Sequence, residues 1–210
     1  MKSKTNQAAL GLRVKSGWAA AILLAGPVRL PRLCDIRVID LCDPKIPATR
    51  QPYHAAMRKL ETNAARLRSR LQIVRRVAKQ SIATLLGDYR RNGYRIRRAG
   101  LGVGSQIDPA LIANPHIRVH ALEGQLFRTE LADALRAHQI QSVVLIEREA
   151  LAKTATLLKK SPAELQSVVN KMRRTTSGPW RAEQKLATIA AWLALAHDVD
   201  LRSLGLLPSC

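Results

Sequence analysis

LGLRVKSGWAAAILLAG, residues Leu10–Gly26, is the segment around which the rest of the chain is arranged. It predicts a strand beginning at Leu10–Val14, a tight turn at Lys15-Ser16-Gly17, and a second strand over Trp18–Leu24. The second strand is almost continuously apolar, as is typical of a strand covered on both faces. A third strand, LCDIRVIDL at Leu33–Leu41, follows a short link. Three successive strands with short links predict an antiparallel meander.

A long helix is predicted after the proline-containing connection Asp43–Tyr53. From His54 to about Arg91, apolar residues recur at alternating steps of three and four, which is typical of one stripe on a helix. They are Met57, Leu60, Ala64, Leu67, Leu71, Val74, Ala78, Ile82 and Leu85. Such a helix, about ten turns long, exceeds what a small sheet can cover. We therefore expect one end to project or to pair with a second protomer in a homodimer.

The remaining elements alternate between strands and helices. In order they are a strand at Tyr94–Val103, a helix from about His116 to Ala137, a strand at Ser142–Ile146, helices at Arg148–Leu158 and Pro162–Met172, and an apolar helix at Trp180–Ala196. We expect one α/β domain over residues 10–197. A flexible basic tail at 1–9 would precede it, and a C-terminal tail at 198–210 would follow it.

The composition points to a polyanionic partner. There are 35 Lys and Arg residues against 15 Asp and Glu residues, a formal net charge of +20. Self-repulsion of that size favours nucleic acid as the first candidate partner and an anionic membrane as the second. The apolar run Trp18–Ala25 is too short to cross a bilayer, and no cleavage site follows it. The three cysteines have no metal-ligand spacing and suggest a reducing compartment, so we expect a cytoplasmic protein without a membrane partner.

This order of elements resembles the ribonuclease H-like fold, which RuvC-type resolvases, many transposases and, in duplicated form, actin-like ATPases share. Two local features carry the resemblance. Ser16-Gly17-Trp18 resembles the glycine-containing turn after the family's first strand, and Trp180–Ala196 resembles its last helix, which packs beside that strand. The resemblance implies an α/β fold in which the antiparallel meander is extended by parallel strands and flanked by helices, here including one long basic helix.

The chain departs from this family at the usual catalytic carboxylates. A two-metal nuclease needs carboxylates that converge on metal ions about 3.5–4 Å apart. The first strand offers Arg13 and Lys15 instead, the fourth strand offers no acid before Asp108, and the last helix offers Glu183 alone. A lysine at the leading acid's place would repel Mg²⁺. We therefore expect no standard two-metal nuclease and no cofactor, with Mg²⁺ bound only if the protein is a divergent enzyme.

A few residues could still bind a ligand or take part in catalysis. Lys15 and Ser16 suit a phosphate at a turn, although they are also ordinary turn residues. His120 and Glu123 share one helix face, where the carboxylate could orient the imidazole for proton transfer. This pair could also contribute to a metal site, but the sequence places no third ligand, and a local His–Glu pair is the favoured interpretation. Glu147 follows a strand at the edge where ligands gather, yet it and Glu183 also suit the first turn of a helix.

Basic side chains dominate the long helix and the following strand. Such a surface can follow phosphates without reading bases, although it could also be a solvated face. The candidate contacts are Arg58, Lys59, Arg66, Arg70, Arg75, Arg76, Lys79, Arg95, Arg97 and Arg98. The first hypothesis is accordingly a nucleic-acid-binding ribonuclease H-like protein without two-metal nuclease activity.

Two alternative hypotheses remain open. One is a divergent nuclease, or a nucleotide or phosphate-ester enzyme, of the same superfamily. Its candidate catalytic residues are Lys15, Ser16, His120, Glu123, Glu147 and Glu183. The other is a basic scaffold protein that pairs through the long helix.

Overall fold

A mixed sheet of five strands forms the centre of the computed structural model, which describes residues 6–55, 60–175 and 178–203. The strands are β1 (Asn6–Lys15), β2 (Trp18–Ala25), β3 (Arg32–Asp40), β4 (Tyr94–Val103) and β5 (Gln141–Ile146). They lie in the order β3-β2-β1-β4-β5. The first three are antiparallel neighbours, and β4 and β5 run parallel to β1. The predicted meander with its parallel extension is confirmed.

Helices cover both faces of this sheet. They are α1 (Ala64–Arg91), α2 (Pro115–Ala137), α3 (Glu147–Leu157), α4 (Pro162–Lys171) and α5 (Ala182–Ser203). Helices α1 and α2 share one hydrophobic core with the sheet, and α3, α4 and α5 share the other. Short 3₁₀ turns lie at Pro47–Thr49, Pro109–Leu111 and Met172–Thr175. Within the described residues, no helix is long and apolar enough to span a membrane.

Some predicted boundaries differ from the structure. β1 begins at Asn6, which pairs with Tyr94, so residues 6–9 extend the strand instead of forming part of a tail. The last helix starts at Ala182 instead of Trp180 and continues to Ser203, beyond the predicted end at Ala196. The rest of the predicted C-terminal tail, residues 204–210, lies outside the described residues.

The predicted start of α1 at His54 is wrong. The helix begins at Ala64, and the Asn63 side chain caps it by accepting the backbone N–H of Arg66 at 3.0 Å. His54 instead forms an isolated bridge with Leu60, and the predicted stripe residue Met57 lies outside the described residues. The apolar stripe that does pack on the sheet comprises Val74, Ala78, Ile82, Leu85, Leu86 and Tyr89. Pairing of α1 with a second protomer stays a prediction.

Glycine allows α5 to lie directly against the sheet. A Cβ at Gly11 of β1 would come within 1.9 Å of the Ala187 carbonyl oxygen, and one at Gly100 of β4 within 2.1 Å of the Ala190 carbonyl oxygen. Gly11 and Gly100 therefore allow a close contact between α5 and the strands β1 and β4. The buried Trp192 of α5 donates its indole N–H to the Val28 carbonyl oxygen at 2.7 Å, which ties the helix to the loop after β2.

Candidate functional site

The carboxyl ends of the parallel strands β1, β4 and β5 meet at one edge of the sheet. Ligands gather at such edges in open α/β sheets. Here β1 ends in Arg13 and Lys15, β4 ends just before Gly104, and β5 leads straight into Glu147, the first residue of α3. The fold therefore brings two cations and a carboxylate to the place where the resemblance leads us to expect several carboxylates.

Arg13 occupies the centre of this edge with its guanidinium buried. Its Nη2 atom lies 2.6 Å from Oε2 of Glu147, and its Nη1 atom donates to the Gly102 carbonyl oxygen at 3.4 Å. The Arg13 side chain is only 9% exposed, whereas the Glu147 side chain is 48% exposed. Because a buried guanidinium needs a compensating anion, Glu147 acts here as the partner of Arg13.

Glu183 likewise lies beside a cation. It belongs to the first turn of α5, and its Oε1 atom is 3.7 Å from Nζ of Lys15. Both side chains are partly exposed, so this pair contributes little to stability, roughly 0–1 kcal/mol. Its effect is electrostatic, because the Lys15 ammonium group offsets part of the negative charge of the Glu183 carboxylate.

A cleft of about 270 Å³ opens between this edge and α2. Lys15, Ser16, Ser105, His120 and Arg128 are among the residues that line it. Burial lowers the pKa of the Arg128 guanidinium below its usual range, although an arginine stays protonated at neutral pH. The cleft thus brings three of the six catalytic candidates together with Arg128, and its cationic and hydroxyl groups suit an oxyanion.

A second cluster surrounds Glu123, a buried residue of α2. Its Oε1 atom lies 2.7 Å from Nδ1 of His54, and its Oε2 atom lies 3.9 Å from Nδ1 of His120. Nε2 of His120 is in turn 3.3 Å from Nε2 of His116. One potential ligand nitrogen from each histidine lies within 4.8 Å of those of the other two. Three imidazoles and one carboxylate therefore form a compact group.

The electrostatics of this cluster favour uncharged groups. Burial raises the pKa of the Glu123 carboxyl, opposed by the hydrogen bond from His54. Burial, followed by the proximity of His54 and His116, lowers the pKa of the His120 imidazole. The sequence analysis identified His120 and Glu123 but missed His54, which lies 69 positions before Glu123 and was assigned to a helix. No local pattern in the sequence connects His54 to α2.

The side chains of the predicted basic surface differ in their contacts and in their exposure. Arg70 pairs with Glu61 at 3.0 Å and donates to the carbonyl oxygens of Pro52 and His54, so it holds the connection before α1 in place. Arg75, Arg76 and Arg98 contact Glu130, Asp43 and Gln141, respectively, and two of them, Arg75 and Arg76, remain more than half exposed. Arg66, Lys79 and Arg95 are exposed, and Arg97 is half-buried. Arg58 and Lys59 lie outside the described residues.

Comparison with known proteins identifies the fold. No family model and no curated protein matches the sequence. Thermus thermophilus RuvC in complex with a Holliday junction substrate is similar in structure, with 14% sequence identity, a TM-score of 0.51, and coverage of 94% of this chain and 96% of that chain. A second structure of Thermus thermophilus RuvC gives 12% identity, the same TM-score of 0.51, and the same coverage of 94% and 96%. The yeast mitochondrial Holliday junction resolvase gives 10% identity and a TM-score of 0.45, covering 93% of this chain and 80% of that chain. The fold is ribonuclease H-like, as the resemblance implied.

Proposed function

We propose that the protein binds structured or duplex nucleic acid through its basic surface and does not hydrolyse it by a two-metal mechanism. The observation that carries this proposal is a formal net charge of +20 on a ribonuclease H-like fold. The RuvC structure that resembles this chain contains a Holliday junction substrate. A polyanion of that kind would offset the self-repulsion of so basic a chain.

The edge of the sheet supports the second half of the proposal. Two-metal hydrolysis needs anionic ligands that neutralise two divalent cations. Arg13 and Lys15 place positive charge at the end of β1, and their neighbours Glu147 and Glu183 are engaged with them. A divalent ion entering here would meet two cations within a few ångströms of the available carboxylates, which opposes its binding.

The contacts would come from cations that the fold leaves accessible. Arg66 and Lys79 are exposed on α1, and the side chains of Arg75 and Arg76 are 61% and 66% exposed despite their ion pairs. The Arg76–Asp43 pair, at 3.7 Å, is weak, so a phosphate can replace that carboxylate at little cost. Arg75 would have to keep its contact with the buried Glu130 while its exposed side meets a phosphate. Each phosphate that is neutralised adds roughly 0.9 to the slope of log affinity against log salt on duplex DNA.

The test is a salt titration of binding to a labelled four-way junction, duplex DNA and duplex RNA, with Mg²⁺ or with EDTA. The double variant Arg66→Glu and Lys79→Glu should bind more weakly and with a salt slope lower by about 2 units. Lys171→Glu and Arg173→Glu make the same charge change at exposed positions on the other side of the sheet, at the end of α4 and in the 3₁₀ turn that follows it. This double variant serves as the matched control. No binding at near-physiological salt would refute nucleic-acid binding, and cleavage that EDTA stops would refute the absence of two-metal activity.

The cleft favours a second candidate, a nucleotide or phosphate-ester enzyme. Lys15, Ser16, His120 and Arg128 line one cavity, which offers cations for a phosphate and an imidazole for proton transfer. A ligand that binds only the folded chain raises its melting temperature. If this candidate is right, a nucleotide or phosphate ester will stabilise the protein thermally, and Lys15→Ala will abolish the gain. No shift with a panel of such ligands would count against it.

A further inference from the structure

We propose that His54, His116 and His120 form a binding site for one divalent transition-metal ion of the zinc class, with Glu123 as the group that orients two of the imidazoles. This site is distinct from the Arg13–Glu147 and Lys15–Glu183 pairs at the sheet edge, and the proposal does not depend on nucleic-acid binding. It assigns a ligand to three histidines that the proposed nucleic-acid binding leaves unused.

The spacing of the nitrogens fits a shared ion. Zn²⁺ binds imidazole nitrogens at about 2.0–2.1 Å, which places two ligands of a tetrahedral ion about 3.3–3.4 Å apart. The Nε2 atoms of His116 and His120 are 3.3 Å apart. These residues are four positions apart on α2, so the helix itself sets their separation. His54 then approaches from the connection before α1, within 4.8 Å of both.

Glu123 selects which nitrogens face the ion. Its Oε1 atom is 2.7 Å from Nδ1 of His54, which leaves Nε2 of His54 to act as a ligand. A carboxylate that accepts the second N–H of a ligating histidine fixes the tautomer and makes the imidazole a better donor. Glu123 is fully buried, and its Oε2 atom has no hydrogen-bond partner among the residues that the structure describes. That atom lies 3.9 Å from Nδ1 of His120, so a small rotation would let it accept a second N–H.

A bound ion would also explain why the Glu123 carboxylate is buried at this position. A buried carboxylate with an unsatisfied oxygen is destabilising unless charge or donors compensate it. A divalent ion held by His54 and His120 would polarise both imidazoles and strengthen their donation to the two oxygens of Glu123. The donor set also defines the class of ion, because neutral imidazole suits zinc, copper, iron and nickel, whereas Mg²⁺ and Ca²⁺ prefer oxygen ligands.

Three protein ligands leave a coordination position for water. Three-ligand zinc sites with an open position are the catalytic type, and structural sites use four protein ligands. His116 and His120 are exposed, so the ion would be reached from solvent. His120 also lines the cleft that contains Lys15 and Arg128. The ion would therefore lie at the wall of the cleft and add positive charge to it.

The experiment uses the full chain without a polyhistidine tag, stripped with EDTA and then reconstituted with Zn²⁺ or Co²⁺. Elemental analysis after gel filtration gives the stoichiometry, and competition with a chromophoric chelator gives the affinity. We expect one ion per chain and the visible absorption of tetrahedral Co²⁺. His116→Ala and His120→Ala should each weaken binding by about 100-fold or more, and Glu123→Gln by about 10–100-fold.

His138→Ala is the matched control, since it removes a histidine at the C-cap of the same helix, and it should leave binding unchanged. His116 and His120 are exposed, so their variants test the site even if Glu123→Gln does not fold. The proposal would be overturned if His116→Ala and His120→Ala both left zinc binding unchanged. It would also be overturned if His138→Ala weakened zinc binding as much as those two variants do. A wild-type chain that binds zinc no more tightly than Mg²⁺ would overturn it as well, because the histidines would then be only a hydrogen-bonded cluster.

Discussion

Gly11→Ala tests the contact that sets α5 against the sheet. The added Cβ would lie 1.9 Å from the Ala187 carbonyl oxygen and 2.6 Å from the Ala191 backbone N atom. Helix α5 would have to retreat by about 1.1 Å before the first contact reached 3.0 Å. A gap of about 0.5–1 Å between packed atoms removes about a quarter to a half of the dispersion attraction between them. The retreat would affect the whole buried face of α5, including Trp192.

We therefore expect Gly11→Ala to destabilise the protein by at least about 3 kcal/mol, the upper end for overpacked cores. Urea unfolding followed by tryptophan fluorescence measures this. With a slope of about 2 kcal/mol/M, the midpoint would fall by about 1.5 M. Gly124→Ala is the control, because a Cβ there meets nothing within 4 Å and α2 gains helix propensity, roughly 0.5–1 kcal/mol. A midpoint for Gly11→Ala within 0.2 M of wild type would refute the close approach of α5 to β1.

Three further changes address single contacts and use the same unfolding assay. Glu147→Gln leaves the buried Arg13 guanidinium without an anion, so stability should fall by about 1–2 kcal/mol; an unchanged midpoint would mean that solvent already compensates Arg13. Trp192→Phe removes the N–H that reaches the Val28 carbonyl oxygen and should cost about 1–3 kcal/mol; a smaller loss would mean that water replaces the bond. Ser161→Ala removes the cap of α4 and should cost about 1 kcal/mol, with faster amide exchange in that helix's first turn as the local check.

The elements that sequence analysis predicts well are those with local patterns. The hairpin of β1 and β2 follows from an apolar run, a glycine turn and a second apolar run, and all three lie within residues 6–25. The start of α4 follows from Ser161 and Glu164, which form the reciprocal cap in the structure. Both features depend on residues a few positions apart, so neighbouring residues suffice to predict them.

The start of α1 shows how a periodic pattern can mislead. Met57 and Leu60 continue the helical spacing of the later stripe, yet Leu60 is 41% exposed and lies in an isolated bridge. In the structure the helix begins after Asn63, whose side chain caps the first turn. The sequence analysis did not use this residue. Apolar spacing over two residues carries less information than a capping residue, since two apolar positions fit several conformations.

The ion pairs of the candidate site depend on tertiary structure. Arg13 and Glu147 are 134 positions apart in the sequence. The fold brings them together because β1 and β5 lie on either side of β4 and end at the same edge of the sheet. The sequence places each residue at a strand end, but it does not indicate that the carboxylate would serve an arginine. For His54 the predicted secondary structure was itself wrong, because the residue was placed at the start of α1. Its contact with Glu123 could therefore not be predicted from the sequence.

The two proposals together predict that this chain binds a different class of metal ion from that of a two-metal nuclease. At the sheet edge, Arg13 and Lys15 lie beside the carboxylates of Glu147 and Glu183. Mg²⁺, which prefers oxygen ligands, would have to compete with these two cations. On the other side of the cleft, α2 offers imidazoles instead, and these prefer transition metals. His120 belongs to both the cleft and the histidine cluster. A metal ion bound there would therefore strengthen the positive field of the cleft without restoring the two-metal geometry of a nuclease.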